Sequence, residues 1–158
     1  MKPIEIDFKN SLVTNMQLNS IRKKLKHEVN SMNLAREMLY TDDRASINLS
    51  YDISMLEHVK KIITQKLKLK PSYIVVVGIG GSNLGTIAVQ EAILGKMYNQ
   101  MDPKLKILYA DTVDSDSMYD ILSLIKPAIK KGKKVILNVV SKSGGTTETI
   151  ANFEILLQ

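Results

Sequence analysis

The spacing of hydrophobic residues changes at about residue 70. Before that point, apolar residues recur at helical spacing in two stretches, one at Ile21, Leu25, Val29 and Met32 and one at Ile53, Leu56, Val59, Ile63 and Leu67. Residues 40–44 between them are typical of a turn, and Asp42 or Asp43 can cap the helix that follows. Pro71 disfavours further helix. We therefore predict a helical segment over residues 1–70.

After Pro71 the apolar residues form short continuous runs, as expected for parallel strands that are buried on both faces. Strands are predicted over residues 73–77, 105–110 and 135–140. Helices are predicted over about 84–94, over about 116–125 with a stop near Pro127, and from about residue 146 to the end. Residues 71–158 are thus a βαβαβα unit. The fold class is α/β, a doubly wound, flavodoxin-like parallel sheet, with the second and third strands on either side of the first.

Two turns rich in glycine and hydroxyl groups follow the first and third predicted strands. They are residues 78–85 (Gly-Ile-Gly-Gly-Ser-Asn-Leu-Gly) and residues 141–148 (Ser-Lys-Ser-Gly-Gly-Thr-Thr-Glu). A strand, a glycine-rich turn and a helix direct free backbone N–H groups and the positive end of the helix dipole at one point, which favours an anion. In the predicted strand order both turns lie at neighbouring carboxyl ends, so together they predict a site for one phosphate group.

Composition narrows the class of protein. The 158 residues include no cysteine and carry a formal charge of +6, so disulfides and cysteine-based zinc sites are excluded. No stretch approaches the ~20 apolar residues of a membrane span. The lysine runs at residues 23–26 and 130–134 lack interleaved aromatic residues, so we interpret them as solvated faces and expect no nucleic acid partner. A cytoplasmic protein without a membrane partner is expected.

Nucleotide sites fit the first turn poorly. A P-loop needs Gly-Lys-Ser/Thr, but Thr86 follows Gly85. A dinucleotide fingerprint needs a third glycine where Asn83 stands, and Asn83 would crowd the packing of helix on strand. Asp111 is placed too far along the chain for the usual ribose-binding acid. NAD binding stays a weaker alternative.

The second turn also has a purely structural interpretation. Its hydroxyl groups can satisfy the N–H groups at the start of the last helix, with Glu148 completing a capping arrangement. The number of hydroxyl-bearing residues exceeds what one helix needs, which favours the phosphate site.

Both turns, in this order, resemble the two signatures of the phosphoglucose isomerase family, which is built on sugar-isomerase (SIS) domains. The resemblance covers the whole chain, including its leading helices, and implies an SIS-type fold for residues 71–158. It implies that the phosphate of a sugar phosphate is bound by Gly81, Ser82, Ser141, Lys142, Ser143 and Thr146. The chain departs from the family at Gly145, where a threonine is more usual.

The family interconverts glucose 6-phosphate and fructose 6-phosphate without metal or cofactor, in glycolysis and gluconeogenesis, and its intact members resemble homodimers. The resemblance implies that the base, arginine and histidine of that reaction lie beyond the second turn, outside this chain. We therefore expect the N-terminal part of such an enzyme, truncated at an uncovered third strand and an uncapped last helix, and inactive alone. Glu148 resembles a glutamate near the substrate, which leaves an auxiliary role open, whereas His27 and His58 are expected to be core or surface histidines without a catalytic role. A non-catalytic SIS-domain regulator that binds a phosphosugar is the alternative.

Overall fold

A computed structural model describes residues 5–158, which divide into two units, the first ending at Lys60 and the second covering Lys61–Gln158. Helix α1 (Asn15–Ala35) and helix α2 (Ile53–Leu67), which crosses the boundary between the units, confirm the two predicted helices. Among the described residues, no helix is both long and apolar enough to cross a membrane.

Polar side chains organise the first unit. Thr14 and Gln17 form a reciprocal capping box at the start of α1. Asp42 caps a 3-10 helix, Asp43–Tyr51, by accepting a hydrogen bond of 2.8 Å from the backbone N–H of Arg44. Asp42 is thus an N-cap, as predicted, but the element that it caps is a 3-10 helix that was not predicted. The guanidinium of Arg44 also donates to the carboxylate of Glu28 on α1.

The second unit is built on three parallel strands, β1 (Pro71–Val77), β2 (Lys106–Ala110) and β3 (Lys134–Val139), in the order β2-β1-β3. The predicted order, with the second and third strands flanking the first, is confirmed. β1 begins two residues earlier than expected. Pro71 is tolerated because it is the first residue of the strand.

Helices α3 (Leu84–Leu94), α4 (Ser115–Lys130) and α5 (Thr147–Leu157) complete the unit. One face of the sheet packs against α4 and α5, and the residues in this core include Val75, Val77, Ala110, Met118, Ile121, Ile125 and Leu156. α3 lies against the other face near Ile107, with Val89 and Ile93 largely exposed. Helices on both faces make the sheet doubly wound, as predicted.

The predicted end of α4 near Pro127 is wrong. The helix continues through Pro127 to Lys130, and a Schellman motif ends it: Gly132, at φ +76°, donates to the carbonyl of Ile129, and Lys133 donates to that of Ala128. Ile125 and Ala128 are both buried. Burial on both sides of the proline compensates for the one backbone hydrogen bond that proline cannot donate.

A side chain covers part of the outer edge of β2. Asn99 accepts a hydrogen bond of 3.0 Å from the backbone N–H of Ile107 and donates one of 2.6 Å to its carbonyl. Tyr98 donates its hydroxyl to the carbonyl of Leu105 at 3.0 Å. The short 3-10 helix Tyr98–Met101 therefore occupies hydrogen-bonding groups that a further strand would need.

Candidate functional site

The first glycine-rich turn starts where β1 ends. Gly80 adopts φ +55° and opens a 3-10 turn, Gly80–Ser82, in which the backbone N–H of Asn83 donates to the carbonyl of Gly80 at 3.0 Å. α3 follows at once. Gly81 is exposed and Ser82 is half-buried. A Cβ atom at Gly81 would meet no atom within 4 Å, so its backbone borders open space where a ligand can approach.

The buried side chain of Asn83 supports this turn. It is completely buried, and its side-chain amide donates to the carbonyl of Gly78. Its carbonyl oxygen Oδ1 is buried without a hydrogen-bond partner. A Cβ at Gly78 would lie 3.1 Å from this Oδ1 and 2.9 Å from the carbonyl oxygen of Val140. Asn83 therefore fits without crowding because Gly78 has no side chain, and the expectation that it would crowd the packing is wrong.

The second turn brings three hydroxyl groups together. The Oγ of Ser141 lies 3.2 Å from the Oγ1 of Thr146, and the Oγ of Ser143 lies 3.5 Å from the same atom. Backbone N–H groups of the turn donate to these serines, Gly144 to Ser141 at 3.0 Å and Gly145 to Ser143 at 3.2 Å. The turn is therefore folded on its own hydroxyls, which keeps Ser141, Ser143 and Thr146 on one side of it.

Helix capping does not account for these hydroxyls. Thr146 is the N-cap residue of α5, but its side chain makes no capping hydrogen bond. The serines accept hydrogen bonds from the turn and not from the first turn of the helix. The Thr146 side chain therefore does not cap the backbone N–H groups at the start of α5. Backbone N–H groups at a helix start can bind an anion.

The two turns begin side by side. The N–H of Val140 donates to the carbonyl of Val77 at 2.8 Å, so pairing of β1 and β3 extends to the start of the second turn. Contact between Gly78 and the Val140 carbonyl leaves no room for a side chain. On the other side, Gly78 donates to the carbonyl of Ala110 at the end of β2. The carboxyl ends of all three strands thus meet at one place.

A buried side-chain amide holds the loop that follows β2 at this carboxyl end of the sheet. Asn152 on α5 is 1 % exposed and donates to the carbonyl of Thr112 at 2.9 Å. Thr149, one turn earlier in the helix, is 2 % exposed. Sequence reasoning missed the roles of Gly78 and Asn152 because they depend on contacts with Val140 and Thr112, which are distant in the chain. It also missed the bond from Asn83 to Gly78, which is local but has no signal in the residue types. The polar residue at 152, on the α5 face that also carries buried Leu156, was the available signal.

The charges at this end are mixed. Lys142 is exposed and is the cation of the second turn, while Glu148 is exposed in the first turn of α5. At the start of α4, Asp114 accepts a hydrogen bond from the backbone N–H of Ser117 at 2.9 Å, which lowers the pKa of its carboxyl. The two histidines lie far from both turns in the sequence, His27 in α1 and His58 in α2. An anion at the turns would meet backbone N–H groups, hydroxyls and one lysine.

Comparison with known proteins identifies the family. The sequence profile of phosphoglucose isomerase matches residues 7–157, nearly the whole chain. The chain belongs to the phosphoglucose isomerase family. The resemblance of the two turns to that family's signatures is therefore confirmed.

Curated relatives carry the corresponding name. A glucose-6-phosphate isomerase of Carboxydothermus hydrogenoformans is 33% identical over 111 residues, which cover 68% of this chain and 22% of that protein. One from Clostridium perfringens is 36% identical over 113 residues, 68% of this chain and 24% of that protein. A probable glucose-6-phosphate isomerase of Methanococcus maripaludis is 42% identical over 83 residues, 52% of this chain and 18% of that protein. The chain spans about a fifth of the length of these phosphoglucose isomerases.

Proposed function

We propose that this chain is the N-terminal part of an aldose-ketose isomerase that interconverts glucose 6-phosphate and fructose 6-phosphate, and that it supplies the phosphate-binding turns. The observation that carries the proposal is the family match over residues 7–157 together with the adjacent turns that end β1 and β3. Membership in an isomerase family also favours this function over a non-catalytic phosphosugar regulator and over NAD binding.

The phosphate group is proposed to sit between the two turns. Gly81 and Ser82 contribute from the first turn. Because Gly81 has no side chain, the phosphate can approach its backbone closely. Ser141, Ser143 and Thr146 contribute hydroxyl donors, and Lys142 contributes a positive charge. Binding requires these hydroxyls to turn their protons toward the phosphate oxygens, with the start of α5 adding its dipole.

Chemistry on the sugar is proposed to need residues outside this chain. The turns hold the phosphate, and the reaction takes place on sugar carbons, which a base, a histidine and an arginine from the remainder of a longer protein would serve. We propose an auxiliary role for Glu148, which lies at the start of α5 beside the second turn. We further propose that the intact protein is a cytoplasmic homodimer, that the second unit is an SIS domain, and that no metal or cofactor takes part.

A backbone amide NMR titration with 6-phosphogluconate tests phosphate binding, with NAD in a parallel titration. Shifts confined to residues 78–85 and 141–148 with the phosphosugar alone are expected. A response to NAD without one to phosphosugar would overturn the proposal.

Variants test which atoms bind. Ser141→Ala removes a hydroxyl that contacts both Gly144 and Thr146, and it is expected to weaken phosphosugar binding about tenfold, the value of one charge-assisted hydrogen bond. Ser123→Ala, at an exposed position on α4, is the matched control and should bind normally. Equal affinities of the two variants would place the phosphate elsewhere.

An isomerase assay tests the division of roles. The purified chain, free of host isomerase, is expected to give no turnover of fructose 6-phosphate. Turnover by this chain would show that its own residues include the base.

A further inference from the structure

A second group of charges lies at the opposite end of the sheet, where the strands begin. Lys104 and Lys106 precede and open β2, and Lys133 and Lys134 do the same for β3. Parallel pairing places Lys106 beside Tyr73 and Lys134 beside Pro71. The lysine run at 130–134, which the sequence alone indicates to be a solvated loop end, therefore meets lysines from a distant part of the chain.

Three of these lysines, Lys104, Lys106 and Lys133, line a cleft and not a flat surface. Its volume is about 270 Å³, and it is lined by Ser72, Tyr73, Asp102, Pro103, Lys104, Lys106 and Lys133. Hydroxyl, carboxylate and ammonium groups therefore outnumber the apolar groups of the lining. Such a lining suits a charged ligand better than an apolar one.

The charges in the cleft are unbalanced. Asp102 forms an ion pair of 3.1 Å with Lys106, and this is the acidic residue of the lining. Lys104 and Lys133 form no ion pair within residues 5–158, the part of the chain described. Two positive charges thus remain after pairing, and they share a cleft with the hydroxyl of Ser72. Like charges held near one another favour a counter-ion that neutralises both.

The backbone around the cleft is strained. Lys70 and Asp102 both adopt φ +50°, in the left-handed region, and each directly precedes a proline. Residues with side chains rarely adopt this conformation, and strained positions often occur at functional sites. Lys70 directly precedes the first residue of β1, and Asp102 is itself part of the cleft lining.

We propose that this cleft, the amino-end cleft, binds a small multivalent oxyanion of the phosphate or pyrophosphate class. Lys104 and Lys133 supply the charge and Ser72 supplies a hydroxyl donor. The volume fits a small oxyanion, whereas a nucleic acid strand needs a longer groove with several stacking aromatic residues, and Tyr73 is the aromatic residue in the lining. The proposal does not depend on the sugar-phosphate site, which lies at the carboxyl end of the same strands.

Amide NMR titration of the chain with pyrophosphate tests the proposal, because it separates the two ends of the sheet. Shifts are expected at Ser72, Lys104 and Lys133. The double variant Lys104→Gln/Lys133→Gln should weaken binding at these amides at least about tenfold while leaving any shifts at residues 141–146 unchanged. Absence of shifts at the amino-end cleft with pyrophosphate would overturn the proposal.

A charge-matched control distinguishes a site from general attraction to a basic protein. Lys96→Gln/Lys126→Gln removes two exposed lysines that lie outside the cleft lining. This control should bind pyrophosphate like the parent chain. If both double variants lose affinity equally, the attraction is diffuse and the amino-end cleft is no site. Ser72→Ala, which changes no charge, should also weaken the binding of pyrophosphate. If Ser72→Ala and Lys104→Gln/Lys133→Gln both bind pyrophosphate normally, the residues assigned to the site are wrong.

Discussion

Gly78 and Asn83 show how single residues position the first turn. The turn was predicted from its glycines and serine, which are local signals. The bond from the buried amide of Asn83 to the Gly78 carbonyl spans five residues, but the residue types alone do not indicate it. The need for glycine at position 78 was not predicted either, because it depends on the Val140 carbonyl lying 2.9 Å from the place where a Cβ would stand. Contacts between segments more than 50 residues apart leave no periodic signal in the sequence.

Replacing Gly78 with alanine is expected to destabilise the second unit by about 1–3 kcal/mol, since the new methyl group would press on backbone that cannot yield easily. Urea unfolding followed by circular dichroism measures the effect. Gly85→Ala is the control, because a Cβ there meets no atom within 4 Å and alanine favours helix. Equal stabilities of the two variants would contradict the close contact at Gly78.

Among the secondary-structure elements, α4 departs most from its predicted bounds. Proline is a common helix stop, so Pro127 indicated an end. The packing of Ile125 and Ala128 extends the helix past it, and the left-handed Gly132 ends it. The sequence does contain that glycine, but local propensity alone does not indicate which of the two stop signals tertiary packing will use. The bounds of α3 were predicted correctly because no proline lies within it and Gly95 directly follows its last residue.

Pro127→Ala should stabilise the second unit. Alanine restores an N–H donor inside α4 and removes the clash of the proline ring, with a gain of about 1–2 kcal/mol after allowance for a more flexible unfolded chain. Thermal unfolding would show the increase. A lower melting temperature would mean that the proline ring is itself part of the packing.

Asn99→Ala should destabilise β2. The substitution removes both hydrogen bonds to Ile107 and leaves its backbone groups without these partners, at a cost of about 1–2 kcal/mol. Amide hydrogen exchange at Ile107 should increase. Gln100→Ala, at the exposed neighbouring position, serves as control and should leave exchange at Ile107 unchanged.

At the scale of the whole molecule, the sequence predicted more of the second unit than of the first. Strand order followed from right-handed crossovers together with a doubly wound order, and it predicted both turns at neighbouring carboxyl ends. In the first unit the two helices were predicted from their period, but the 3-10 helix was not, because short 3-10 helices have no period of their own. The clustering of lysines at the amino-end cleft needed the strand register.

Acid should destabilise the first unit. Hydrogen bonds lower the pKa of Glu28, which accepts from the Arg44 side chain, and of Asp42 and Asp52, which accept from the backbone N–H groups of Arg44 and Met55. Because these folded-state pKa values lie below those of the unfolded chain, the stabilisation is present above about pH 4 and is lost as the pH falls through the folded values. Unfolding measured near neutral pH and near pH 3 is expected to show this loss.

Arg44→Gln provides the internal check on the acid effect. Without the guanidinium, the pKa of Glu28 should rise toward its ordinary value, so the variant is less stable near neutral pH and loses less on acidification. Arg22→Gln removes the same charge from an exposed position on α1 and should behave like the parent chain. An unchanged pH dependence in Arg44→Gln would contradict the assignment.

The side-chain amide of Asn99 also makes the two edges of the sheet different. At the β2 side the hydrogen-bonding positions of Ile107 are already taken from within the chain, whereas β3 is the other outermost strand of the sheet formed by the described residues and has no such side chain against it. Any strand that joins this sheet, whether from a longer polypeptide or from another molecule, is therefore expected to join beside β3. We therefore expect the sheet to grow on one side, next to the turn that carries Ser141 and Lys142.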